Sequence, residues 1–157
     1  MRLLSLVVLP VALTIASNAV GAGWESGMVE DEGGPIMQAW VYGENTGANP
    51  PELWMFCGGQ VSLRYGQGGT GEEGIEPMTD PVSFSFDFGD DILSVDMQYE
   101  EMDGMYAAHI EPDALILGFL RSQEKVAVDA PSGPWPVQEF TLQGSSKAIA
   151  AVLKSCN

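Results

Sequence analysis

Val82-Ser83-Phe84-Ser85-Phe86-Asp87-Phe88 alternates one valine and three phenylalanines with two serines and an aspartate. That period of two is the mark of a half-buried β-strand, since successive side chains leave a strand on opposite faces. The same alternation recurs in Val61-Ser62-Leu63-Arg64-Tyr65, where Val61, Leu63 and Tyr65 share a face. Further strands are expected at Ile36 to Tyr42, Leu53 to Cys57, Ile92 to Tyr99, Met105 to Ile110, Lys125 to Asp129 and Val137 to Leu142. Roughly eight short strands are enough for two sheets. Cys57-Gly58-Gly59, Phe88-Gly89-Asp90-Asp91 and Asp103-Gly104 supply tight-turn chemistry between them.

Two stretches depart from the alternation. Asp113 to Arg121 is apolar nearly all round, which suits a short buried helix capped by Asp113, although its length also permits a strand. Ser145 to Cys156 is the clearer helix: Ile149, Val152, Leu153 and Cys156 recur at helical spacing, and Gly144 and Ser145 mark its start. The fold class expected is therefore α+β, mainly antiparallel β, with sandwich-like sheets, a C-terminal helix and one possible short helix near 113–121.

The chain has 157 residues, 19 of them glycine and 10 proline, and 45% are apolar. Its first residues place a cation at Arg2, an apolar run from Leu3 to Ile15, and small residues ending at Ala22, the three zones of a secretory signal. That run is too short for a spanning helix, which needs about 20 apolar residues. Cleavage is expected after Ala22, with Ala19 as a second site. Residues 23–157 would then form a single β-rich domain, periplasmic or secreted, with no membrane span once the signal is removed.

A formal charge of −16 disfavours nucleic acid and anionic headgroups, because binding either depends on clustered Lys and Arg. Two cysteines, Cys57 and Cys156, are an even count in an exported chain and point to a disulfide. Across a separation of 99 residues such a bridge is worth about 4 to 5 kcal/mol by the chain-entropy account. Metal ligation and thiol catalysis are the alternatives. Without a Cys-x-x-Cys spacing, and with His109 as the single histidine, both are weaker readings.

Candidate chemistry is sparse. The loop from Gly66 to Gly74 has the glycines of a phosphate cradle, but Glu72 and Glu73 put negative charge at the ligand's place and no Gly-Lys-Ser/Thr follows. Asp87-Phe88-Gly89 matches a kinase tripeptide without the rest of a kinase. The carboxylates at Asp87, Asp90 and Asp91, and at Glu100, Glu101 and Asp103, read as solvated acidic turns. They could instead contribute to a weak calcium site or a glycosidase pair. His109 is expected on a polar strand face with Ala107 and Glu111, lacking the partners of a catalytic base. No catalytic, cofactor-binding or metal-binding residue is assigned, and no cofactor is implied. Trp24, Trp40, Trp54 and Trp135 could form an aromatic platform for sugar or peptide, but tryptophans also build small cores, and alternation assigns Trp54 to the core. Trp135, stiffened between Pro134 and Pro136, is the expected exposed partner contact.

The early Trp24, the mid-chain Cys57 closing a short apolar strand, and Phe140-Thr141-Leu142-Gln143-Gly144 leading to a helix that ends in Cys156 resemble a group of small, mostly uncharacterised exported bacterial proteins. Some of that group are described as type VI secretion accessory proteins. The resemblance implies a β-rich domain with a Cys57 to Cys156 bridge and no established catalytic residues. The expected function is a non-enzymatic envelope or secreted accessory protein that binds an unknown protein or envelope component. The alternatives are a carboxylate-dependent glycoside or cell-wall hydrolase and a calcium-dependent binding module.

Overall fold

The computed structural model describes residues 23–43, 50–68, 81–131, 133 and 135–156; the expected leader and most of the glycine-rich loop lie outside them. Among the described residues nine strands form: β1 (Glu25–Val29), β2 (Ile36–Tyr42), β3 (Glu52–Cys57), β4 (Val61–Gly66), β5 (Val82–Asp87), β6 (Ile92–Glu100), β7 (Met105–Ile110), β8 (Lys125–Asp129) and β9 (Gln138–Thr141). The same described residues hold two helices, α1 (Leu115–Ser122) between β7 and β8 and α2 (Ser145–Ser155) after β9. The mainly antiparallel α+β fold is the one the alternation predicts.

All neighbours in the ladder β1-β2-β3-β4-β7-β6-β5-β8-β9 are antiparallel. β6 is the corner. Its residues from Ile92 to Met97 pair with β5, and Gln98 to Glu100 pair with β7, so one long strand passes from one half of the sheet to the other. The halves face each other across aromatic rings: Tyr65 of β4 lies 5.1 Å from Phe84 of β5 and 6.3 Å from Phe140 of β9, centroid to centroid. Aromatic pairs at such spacings add about 0.5–1.5 kcal/mol each to the area they bury. The two ends of the ladder also approach, since the Trp24 N–H donates to the Gln143 carbonyl at 2.7 Å. A Cβ at Gly23 would collide with that same carbonyl, so the backbone passes there only as glycine.

Core side chains follow the period of two. Ala39 and Val41, Leu53 and Met55, Val61, Leu63 and Tyr65, and Val82, Phe84 and Phe86 are all buried. α2 lies across this inner face on β1, β2 and β3, presenting Ala148, Ile149 and Val152, and also packs on α1, whose Ile116, Leu117 and Leu120 are buried. No helix among the described residues is long and apolar enough to cross a membrane.

Two local expectations are corrected. β1 is a ninth strand that the pattern did not announce, because Glu25, Ser26 and Met28 are exposed on an edge and Gly27 has no side chain to pack. α1 starts at Leu115 with Ala114 as its N-cap and no side-chain cap, so Asp113 is not the cap; the Ala114 N–H bonds to the Glu111 carbonyl in a turn instead. The start of α2 is where the sequence places it: Gly144 is the N-cap, at φ 83°, a left-handed position, and Ser145 is the first helical residue and buried.

Candidate functional site

In β2, β3 and β4 both strand faces carry large side chains. The odd-numbered set turns toward α2 and the core, which leaves Gln38, Trp40 and Tyr42, then Glu52, Trp54 and Phe56, then Ser62, Arg64 and Gly66 on the opposite, outer face. Register aligns them into rows. Glu25, Trp40, Trp54, Arg64 and Ala107 run across five strands in one row, with Gly27, Gln38, Phe56, Ser62 and His109 beside it. Tyr42, Glu52 and Gly66 form a third row on the other side.

Arg64 anchors one end of this platform. Its guanidinium carbon sits 4.5 Å from the centroid of the Phe56 ring, and Nη2 lies 2.5 Å from Glu100 Oε2. Nη1 donates to Asp103 Oδ2, and Nε donates to Ser62 Oγ at 3.4 Å. The arginine side chain is only 14% exposed, so an aromatic face and two carboxylates hold a largely desolvated cation. Two of the three acidic residues in the β6–β7 turn region are thus counter-ions to Arg64 rather than free solvated charges.

The other end has aromatic faces and carboxylates but, among the described residues, no cation of its own. Trp40 and Trp54 lie 6.4 Å apart with planes inclined at 41°. The Trp54 indole N–H donates to Glu52 Oε2 at 2.7 Å. Burial pushes the Glu52 carboxyl above the usual carboxylate range, and the Trp54 bond works against that shift by favouring the ionised form. The Tyr42 phenol is pushed up by burial and then by the negative charges of Glu52 and Glu25, so both carboxylates act on one ring. Trp40 reaches over Gly27, where a Cβ would stand 3.6 Å from the ring. Gln38, 8% exposed, has an Oε1 with no hydrogen-bond donor among the described residues.

Residues singled out from sequence are placed elsewhere. Trp135 is 7% exposed, not an exposed contact: its ring stacks parallel to Phe84 at 6.3 Å and meets Tyr106 edge-on at 5.3 Å. The indole is too large and apolar to remain outside when the two halves leave an aromatic slot between β5 and β7. Trp54, expected in the core, is half-buried on the outer face, because Leu53 and Met55 occupy the side that α2 covers. Cys57 and Cys156 lie at disulfide distance, Cα to Cα 5.4 Å, at the end of β3 and the C-cap of α2. His109 is exposed on the outer face opposite Ser62, with the half-buried Ile110 on the other face.

Asp87 accepts the Gly89 N–H at 2.7 Å and so closes the β5–β6 turn, while Asp90 and Asp91 are exposed. Gly66 and Gly68 begin the glycine-rich loop, whose continuation from Gly69 to Gly74 lies outside the described residues. Among the described residues no group of three or more His, Cys, Asp and Glu is gathered to hold a metal ion. Sequence reasoning missed Arg64 and Glu52; it raised Trp40 and Trp54 as part of an aromatic platform but assigned Trp54 to the core. The available signal was the alternation Glu52-x-Trp54-x-Phe56, in register with Arg64 set opposite in parity to Val61, Leu63 and Tyr65. No family model matches the chain, and neither a curated protein nor a solved structure matches it.

Proposed function

We propose that this is a non-enzymatic accessory protein of the envelope or the secreted fraction, which docks a partner on the outer face of β2, β3 and β4. The observation that carries the reading is the row Trp40, Trp54 and Arg64 with Phe56 beside it, half-buried and turned away from both helices. Tryptophan, tyrosine and arginine are the side chains that dominate binding energy at protein interfaces, because each offers a large contact area together with a polar end. A rigid antiparallel ladder fixes their spacing in advance, so a partner orders few groups on docking. Export forms part of the proposal. The leader-like first residues and two cysteines at disulfide distance support it, since such bridges persist in oxidising compartments.

The test is capture by the mature protein from the envelope of the producing organism, comparing the native chain with a Trp40→Ala/Trp54→Ala variant of matched circular dichroism. The expected result is a partner retained by the native chain and lost from the variant. A partner held equally by both would overturn the assignment of this face.

A further inference from the structure

The Arg64 site shows what this face does with a cation. It lays the guanidinium on an aromatic ring and closes it with two carboxylates, Glu100 and Asp103. Two strands away the same ingredients recur. Glu25 stands opposite Trp40, Trp40 opposite Trp54, and Tyr42 opposite Glu52, so three aromatic side chains and two carboxylates share one corner of the outer face. Neither Glu25 nor Glu52 has an ion-pair partner among the described residues. The other basic residues described, Arg121, Lys125, Lys147 and Lys154, belong to α1, β8 and α2.

We propose that Trp40, Trp54 and Tyr42, with Glu25 and Glu52, form a docking site for an arginine side chain of a partner protein. The inference rests on the platform reading above and adds the chemistry of what the platform holds. Three features select a donor-rich cation over a neutral or acidic group. Ring faces attract cations through their quadrupole, most strongly at tryptophan. The corner supplies carboxylate acceptors: Glu25, and Glu52 Oε1, since Oε2 already accepts the Trp54 indole N–H. In the row on the other side of Trp40, beside Phe56, Gln38 is more than nine-tenths buried with its Oε1 unpartnered among the described residues, and an unpaired acceptor is costly until a donor reaches it. A chain of formal charge −16 also attracts a basic partner over a distance and repels an acidic one. Arginine is favoured over lysine because its planar guanidinium stacks on rings while its edges remain free to meet carboxylates, as Arg64 does on Phe56.

The experiment is an NMR titration of the mature, oxidised protein with acetyl-Gly-Arg-Gly-amide, using the citrulline tripeptide as an uncharged isostere. Saturable shifts of the Trp40 and Trp54 indole N–H signals are expected with the arginine peptide, and binding at least tenfold weaker with the citrulline one. Glu25→Gln and Glu52→Gln preserve shape, and each is expected to weaken the arginine peptide about fivefold while leaving the thermal unfolding profile of a folded protein. Equal binding of the two peptides, shifts confined to other tryptophans, or no shift at 10 mM peptide would overturn the inference. So would a neutral N-acetylglucosamine trisaccharide moving the same two indoles when the arginine peptide does not; in that case the platform stands and its cation assignment falls. Failure of the platform itself is read separately, from partner capture by the Trp40→Ala/Trp54→Ala variant.

Discussion

Gly144 carries two constraints at one residue. Its φ of 83° lies in the left-handed region, and a Cβ there would stand 3.1 Å from the Trp24 carbonyl oxygen. Gly144→Ala is therefore expected to cost about 1–3 kcal/mol, from backbone strain together with the crowded contact. Gly27→Ala, which would meet only Trp40 at an ordinary 3.6 Å, should change stability by less than about 0.5 kcal/mol. Urea unfolding of both variants checks the contrast. Glu52 gives a second prediction. Because its carboxyl is raised in the folded state, the native protein holds the proton more tightly than the unfolded chain does. The associated stability is present below the ordinary carboxylate pKa and is lost as pH rises through the raised one. Glu52→Gln should remove that part of the pH dependence, so the difference in stability between variant and native chain should shift in favour of the variant as pH rises from 4 to 7. Denaturant midpoints across that range provide the measurement, and a difference that does not vary with pH would contradict it.

At the scale of elements, strands were legible wherever one face is buried and the other wet. β5 shows this most plainly, with Val82, Phe84 and Phe86 buried and Ser83 and Asp87 exposed. β1 was not legible, because a strand at a sheet edge with Gly27 at its centre lacks a buried face to impose a period. β3 was legible as a strand but not in its orientation. Leu53, Met55 and Cys57 compete with Trp54 and Phe56 for the inside, and the winner is decided by α2, which arrives some 90 residues later in the chain. Trp135 failed for the same reason: its slot is made by Phe84 and Tyr106, two strands that no local window contains. Since the ring lies between the two halves, Trp135→Ala is expected to destabilise the protein by about 3–5 kcal/mol, as loss of a buried tryptophan does. Thermal or urea unfolding would show it. A near-neutral outcome would return Trp135 to the surface.

For the whole molecule, negative charge works against compaction, and the ladder is long relative to the helices that cover it. Cys57 and Cys156 tie the last turn of α2 to the end of β3, across a separation of 99 residues. The bridge should contribute up to about 4 to 5 kcal/mol. Cys57→Ser, Cys156→Ser and the double variant are expected to lose the same amount, because either change opens the same loop; additive losses would show that the two thiols act independently. The candidate site belongs to this scale as well. It was hidden in the sequence because Glu25, Trp40, Glu52, Trp54 and Arg64 come together only through the register of four strands.

The decisive measurement places a photo-reactive phenylalanine analogue at residue 54, on the outer face, or at Ile92, which is 63% exposed on the β5 side of β6, and irradiates each protein in its native envelope. The platform account predicts a discrete adduct from position 54 that is absent from position 92. An adduct from position 92 with none from position 54 would contradict it.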